Sequence, residues 1–521
     1  MKRKTILSFL TGAALLCSMP SCMNLDEEVY DKLPAENFGN TTTEINALVG
    51  TVYNTLKKYS GDYMILAENS GSSTVNVTRN GGDWYDGGQY REVYMHTWTA
   101  NTSCVKSCWS IGSECIGTCN ATIEVLKNST LLSDAEKTSK VAEIRGVRAF
   151  WIYSMMDFFG NIPLVVDYND KELPTCKSRQ EVFDWLITEL NALATEAPDY
   201  DTKKYGTFTK GTAYTILAKM YQNAEAWGVN ISENANSKVI EYCDKVMAMP
   251  YILEPNWKTN FDPNNNTSKE AIFAASYSST DTEDQNVLYR RTLHYKQGLA
   301  LGASISVWNG ICAQPDYVKL FNEDDPRYEG TYLIGQQYDI STGEKIITDE
   351  NRPLDYTVDI SIIPGSELDG TKWGAVYQDQ GARCEKWTYE KSLSTAMEND
   401  FHLFRLADIY LMKAEALLRS GGSVAEATNL VNAIRERAYG NNTHNYSTIT
   451  LKEVQLERRL ELAWEGFSRQ DDIRFGCFTK GMWTESNCER KTDDYLKIFP
   501  VSQDAWQTNP NLVQNPGYAS F

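Results

Sequence analysis

Carboxylates paired with arginines are the first residues in this chain that could do chemistry. Glu457, Glu461 and Glu465 recur at four-residue intervals, with Arg458, Arg459, Arg469 and Arg474 close by in sequence. Arg405, Asp408 and Glu415 fall within about 80° of one helical face. A pair of such carboxylates could serve as acid and base in glycoside cleavage. The same residues along helix faces more simply hold neighbouring helices in register, because buried ion pairs specify arrangement. The four histidines, His96, His294, His402 and His444, stand far apart. No H-E-x-x-H, G-x-S-x-G or phosphate-loop pattern occurs. Hydrolysis, phosphoryl transfer and redox chemistry therefore lack their usual equipment, and no metal site or cofactor is expected.

Twelve cysteines raise the question of disulfides. Cys104, Cys108, Cys115 and Cys119 lie within about 60° of one another on a helix. Four thiolates on one helix cannot surround a zinc ion tetrahedrally. The spacing suits a seam of small residues between packed helices, with disulfides or another metal arrangement as the alternatives.

Binding chemistry is richer. The chain holds 30 Tyr, 13 Trp and 17 Phe, and Tyr and Trp combine a flat apolar face with a polar handle. A ligand with a flat apolar face and a polar rim would need such rings, plus Asn, Asp, Gln or Arg for the rim. Segment 81–101, G-G-D-W-Y-D-G-G-Q-Y-R-E-V-Y-M-H-T-W-T-A-N, offers Trp84, Tyr85, Tyr90, Arg91, Trp98 and Asn101 on a glycine-rich scaffold. Trp98 could equally be a core residue at a helix start. Segment 285–309 offers Tyr289, Arg290, Tyr295 and Trp308. A third and weaker candidate is K372-W-G with Y377-Q-D-Q.

The elements that must position these residues are mostly helical. Apolar periodicity predicts helices near 40–58, 102–127, 136–158, 179–195 (Ser178 as N-cap), 209–226 and 235–248. Further helices are predicted at 401–419, 424–438 and 450–468. Repeated helix pairs joined by short turns suggest a repeat array over about 102–248 and 401–468. Residues 60–92 read as a long structured loop, and 250–395 as an irregular insert: a second domain or a layer on the helices.

The amino terminus carries an address. Lys2, Arg3 and Lys4 precede an apolar run that ends in P20-S-C. Asp26, Glu27 and Glu28 follow. This predicts a lipoprotein signal at 1–21, lipid attachment at Cys22 and a tether over 22–39. The apolar run is too short for a bilayer, which takes about 20 residues. Loss of residues 1–21 removes three basic side chains and no acidic ones, so the net charge falls from −19 to −22. Such a charge argues against nucleic acid and anionic membrane patches as partners.

The motifs F404-R-L-A-D-I-Y-L-M-K-A-E-A, A427-T-N-L-V-N-A-I-R-E-R-A and E457-R-R-L-E-L-A-W-E-G are followed by R469-Q-D-D-I-R, I498-F-P and N509-P-N-L-V-Q-N-P-G-Y. In order and spacing this set resembles the SusD/RagB family of nutrient-binding outer-membrane lipoproteins of Bacteroidetes. The W109…C119-N stretch fits as well. The resemblance covers nearly all of 40–521 and is vaguest over 250–395. It implies a mostly α, single SusD-like body with four tetratricopeptide-like helix pairs and a large loop-rich portion with short strands. It also implies a non-catalytic protein at the extracellular face of the outer membrane. Such a protein would capture oligosaccharides, or alternatively peptides, as the partner of a SusC-like TonB-dependent transporter. The acidic residues after Cys22 resemble the surface-export signal of such lipoproteins. Binding residues hold no fixed motif positions in the family, so none is carried over singly.

Overall fold

The structure is a computed structural model that describes residues 39–281, 284–366, 374–389, 396–478 and 492–521. The signal, Cys22, most of the tether, and Lys372 and Trp373 lie outside the described residues.

Helices Ser103–Asn128 and Asp134–Phe159 form the first long antiparallel pair. Helices Arg179–Glu196, Lys210–Asn223 and Ala235–Met247 then pack in sequence order, each on its predecessor. Leu406–Arg419 packs on Ala235–Met247 and extends the array. Val424–Tyr439 and Leu451–Leu462 close it. Ser178 accepts from the amide of Glu181, whose carboxylate returns to the Ser178 amide, a reciprocal cap that fixes where its helix starts. Close approach in the first pair depends on Gly112: a Cβ there would lie 2.5 Å from Met155 Cγ and from Tyr63 Oη. Cys108, Cys115 and Cys119 line the same seam, buried, and all four cysteines of this helix are free thiols. Burial pushes the Cys104 and Cys115 thiols up to about 12, which leaves them unreactive.

Two boundaries differ from the periodicity. The helix predicted over 450–468 ends at Leu462, because Trp464 (φ 67°) and Gly466 (φ 87°) turn the backbone left-handed. Residues 60–92 are not simply loop. A π-helical turn Tyr59–Tyr63 runs into helix Met64–Ser70, then strand Thr74–Asn76 and helix Gln89–Met95. Every residue of Met64–Ser70 is buried, so the helix is held by the core around it and shows no amphipathic period.

The 250–395 stretch is an irregular layer that shares one core with the helices. Its Trp257, Phe261, Phe273 and Trp387 belong to the same apolar cluster as Phe150, Trp151 and Phe404. Among the described residues, its strands form two-stranded pairs. The buried strand Ala271–Ala275 pairs antiparallel with Phe401–Arg405, which leads directly into helix Leu406–Arg419. Strand Thr74–Asn76 pairs with Ile311–Ala313, which brings the two aromatic segments of the sequence toward each other.

Glu68, wholly buried in helix Met64–Ser70, bonds to Ser73 and accepts from the Gly466 amide at 2.5 Å. Burial outweighs both bonds and raises its carboxyl from 4.5 to about 7. A raised folded-state value contributes stability in full below about 4.5 and loses it as pH rises through 7. Glu68→Gln should therefore match the wild type near pH 4.5 and exceed it at pH 8, by about 1–3 kcal/mol. Urea denaturation at the two pH values measures this; equal differences at both would refute it.

Candidate functional site

Arg79 and Arg383 build the site from below. Both are buried, and both donate to backbone carbonyls. Arg79 Nε reaches Asn309 O at 2.7 Å, its Nη2 reaches Gly310 O at 3.1 Å and its Nη1 reaches Gln380 O at 2.9 Å. Arg383 Nη2 donates to Asn309 Oδ1 at 2.7 Å and to Gln378 O at 3.0 Å. These two side chains tie together loops near 79–84, 308–310 and 377–381. Burial, with the charge of Arg383 added, brings Arg79 down to about 10.

Above them the two aromatic segments meet. Trp84, at φ 61°, donates its indole N–H to Trp308 O at 2.5 Å. Its ring lies flat on Gly310, where a Cβ would sit 2.2 Å from Trp84 Cε2, so only glycine permits the contact. Trp84 is 9 % exposed, a support for the site's surface. That surface belongs to Trp308, 38 % exposed, and Tyr85, 40 % exposed. Tyr90, half-buried, packs beside Trp84 at 5.2 Å between ring centres, and burial lifts its phenol to about 12. Tyr295, also half-buried, donates to Asp83 Oδ2. The Arg290 guanidinium lies 6.0 Å from the centre of the Trp308 ring.

The third segment joins the rim. Arg352 stacks 4.2 Å over Tyr377 and holds Asp379 through two bonds of 2.9 and 3.0 Å. His294, buried beneath Tyr295, accepts the Lys296 amide at Nδ1 (3.1 Å) and faces Gln378 Oε1 with Nε2 (3.2 Å). Burial lowers it to about 4, so the ring is neutral above pH 5 and its Nε2 carries the proton.

Three candidates from the sequence sit elsewhere. Trp98 is 3 % exposed; it donates to Tyr518 Oη at 2.7 Å and packs on Phe499 and His96, so it is a core residue and no platform. Tyr289 is wholly buried, its hydroxyl accepting from Arg290 Nε at 2.8 Å, and it too is core. Asn101 is exposed in the turn before helix Ser103–Asn128, where the neighbouring Ala100 O accepts from Gln503, away from Trp308. Arg79, Asp83, Asn309 and Arg352 were missed as site residues. For Arg79 and Asp83 the available signal was their position on either side of the Asn80-Gly81-Gly82 turn.

The charged motif residues lie apart from this surface, in the core between helices. Arg405 meets Glu270 at 2.8 Å, Glu461 at 2.6 Å and Glu465 at 2.7 Å. Arg327 joins Glu457 and Glu461, and Asp408 holds Arg458 and Lys219. All are buried and mutually paired, the arrangement of a structural network. Among the described residues, no group of three His, Cys, Asp or Glu could hold a metal ion.

A helical array with an aromatic, polar-rimmed surface on its irregular layer is the architecture of a ligand-capture protein. The SusD family model matches residues 269–518. The starch-binding protein SusD of Bacteroides thetaiotaomicron is 28 % identical over 427 residues, 74 % of each chain. SusD-like protein P2 of Formosa agariphila is 23 % identical over 98 % of this chain and 99 % of its own. Among solved structures, a laminarin-binding SusD-like protein superposes with a TM-score of 0.69 at 22 % identity, covering 92 % of this chain and all of that one. Surface glycan-binding protein A from Bacteroides uniformis gives 0.70 at 20 % identity over 91 % of this chain and 99 % of its own. The chain is thus similar to the SusD/RagB family, most directly over residues 269–518.

Proposed function

We propose that this protein captures oligosaccharides at the cell surface on the face formed by Trp308, Tyr85, Tyr90 and Tyr295, and delivers them to a SusC-like TonB-dependent transporter. The observation that carries the reading is the Trp84–Trp308 joint, which presents the Trp308 ring to solvent beside Arg290. An exposed indole takes the C–H face of a sugar, while Asp83, Arg290 and Arg352 stand where hydroxyls need partners. The names of the relatives, starch-binding and laminarin-binding among them, support a glycan ligand. The fixed, neutral His294 and the paired carboxylates suit binding without catalysis.

We further read residues 40–521 as one SusD-like domain whose eight long helices from Ser103 to Leu462 form four tetratricopeptide-like pairs. The anchor is the lipid on Cys22 at the outer face of the outer membrane, since two or more acyl chains hold stably where one does not. One set of experiments tests the whole reading. Tagged protein should fractionate with the outer membrane, stay protease-accessible on intact cells and bring down a TonB-dependent transporter in mild detergent. Cys22→Ala should release it. The soluble form should bind neutral oligosaccharides on a glycan array and return them uncut. Retention of the Cys22 variant, recovery of the chain alone, or a blank array would each remove the corresponding claim.

A further inference from the structure

A second cavity lies on the other side of helix Leu288–Thr292 from the Trp308 face. Arg290 of that short helix lies beside Trp308, and Arg291 reaches the π-helical turn Tyr59–Tyr63, donating to Gly61 O at 3.0 Å. Between turn and helix the cavity encloses about 420 Å3. That is within the range of about 300–1,000 Å3 typical of small-molecule sites. Met64, Ile111 and Leu288 give it an apolar wall. Lys57, Lys58, Ser60, Asp62 and Arg291 give it polar groups. Single π-helical turns within helical stretches are frequent at functional sites.

We propose that this cavity is a second carbohydrate site, which takes one or two neutral sugar units at the end of a glycan chain. The inference rests on the glycan reading above and adds a pocket to its open face. The cations of the lining are spent on carboxylates, which argues against an anionic ligand, and Asp62 and Asp284 remain as acceptors for hydroxyls. Lys57 is spent on Asp281 at 2.6 Å and Lys58 on Glu114 at 3.5 Å. Arg291 Nη1 stands 3.9 Å from Asp62 Oδ1, so the one remaining cation is already balanced. What stays unspent is hydrogen-bonding capacity. Among the described residues, Arg291 Nε and Nη2 have no acceptor, and Asp62 has no donor besides Arg291. A guanidinium donor beside a carboxylate acceptor is the pair that reads two adjacent hydroxyls, one accepting and one donating. Ile111 and Leu288, with Met64 buried directly behind them, then face the ring's C–H side.

Gly61 supplies a clean test. Its φ is ordinary, and a Cβ there would meet only Arg291 Nη2, at 3.8 Å. Gly61→Leu therefore grows into the cavity without backbone strain. The probes are glucose, galactose, mannose and xylose, titrated separately against protein carrying 13C-methyl methionine. The Met64 resonance is assigned with Met64→Leu. At least one sugar should shift it saturably in the wild type and in Trp308→Ala. Gly61→Leu should weaken that response at least tenfold. Asp62→Ala, at a half-exposed position, should do the same, with an unchanged melting temperature. No shift with any of the four sugars, or a shift that survives both cavity variants, overturns the proposal. A Met64 response alongside a blank glycan array would remove the Trp308 face and leave the pocket. Array binding with a silent Met64 would remove the pocket alone.

Discussion

Replacing Arg405 by alanine should cost about 3–5 kcal/mol of folding stability, the loss seen when one member of a buried ion cluster is removed. Arg405 is buried at the end of strand Phe401–Arg405 and makes bonds to Glu270, Glu461 and Glu465, besides one of 2.9 Å to Glu461 O. Those carboxylates come from the irregular layer, from helix Leu451–Leu462 and from the turn after it. Their burial raises the energy of each charge, and the arginines offset it: Arg437 and Arg405 hold Glu461 and Glu270 below the usual carboxylate range. Without Arg405, Glu465 keeps only Lys386 as an ionic partner, at 2.5 Å. Guanidinium denaturation should show a lower midpoint in a single transition. A change under about 1 kcal/mol would mean that water enters and compensates, and that the cluster does not bind layer to array.

Trp308→Ala and Trp98→Ala should give opposite results. Trp308 is exposed, and its backbone carbonyl carries the bond from Trp84, so truncating the side chain keeps the joint. Oligosaccharide affinity should fall by about 2 kcal/mol, roughly thirtyfold, with little change in melting temperature. Trp98 fills a space between Phe499, His96 and Tyr518. Its loss should destabilise by about 3–5 kcal/mol, with affinity preserved in the fraction that stays folded. Calorimetric titration and thermal melts on both variants measure the two axes independently. Equal affinity for wild type and Trp308→Ala would move the binding face elsewhere.

Burial explains which aromatic readings fail. Segments 81–101 and 285–309 both stand out by composition, yet each mixes core rings with exposed ones. Tyr289 and Tyr295 are six residues apart in sequence. One is buried on the inner face of helix Leu288–Thr292, and the other reaches Asp83 at the surface. Nothing in residue type separates them. The same holds for Met64–Ser70, whose apolar run sits inside a glycine-rich stretch and becomes a helix only because the core surrounds it.

By itself the sequence determined the long helices and their order, because apolar periodicity and caps such as Ser178 act within a few residues. It also carried the resemblance to the SusD/RagB family, through motifs whose charged residues must pair wherever they are buried. The tertiary structure alone decided the proposed binding face. Trp84 and Trp308 are 224 residues apart, and they meet only because strand Thr74–Asn76 pairs with Ile311–Ala313 and Arg79 spends its donors on carbonyls of distant loops. Such contacts depend on backbone positions that no local pattern encodes. A ring becomes platform or core according to what the rest of the chain places on top of it.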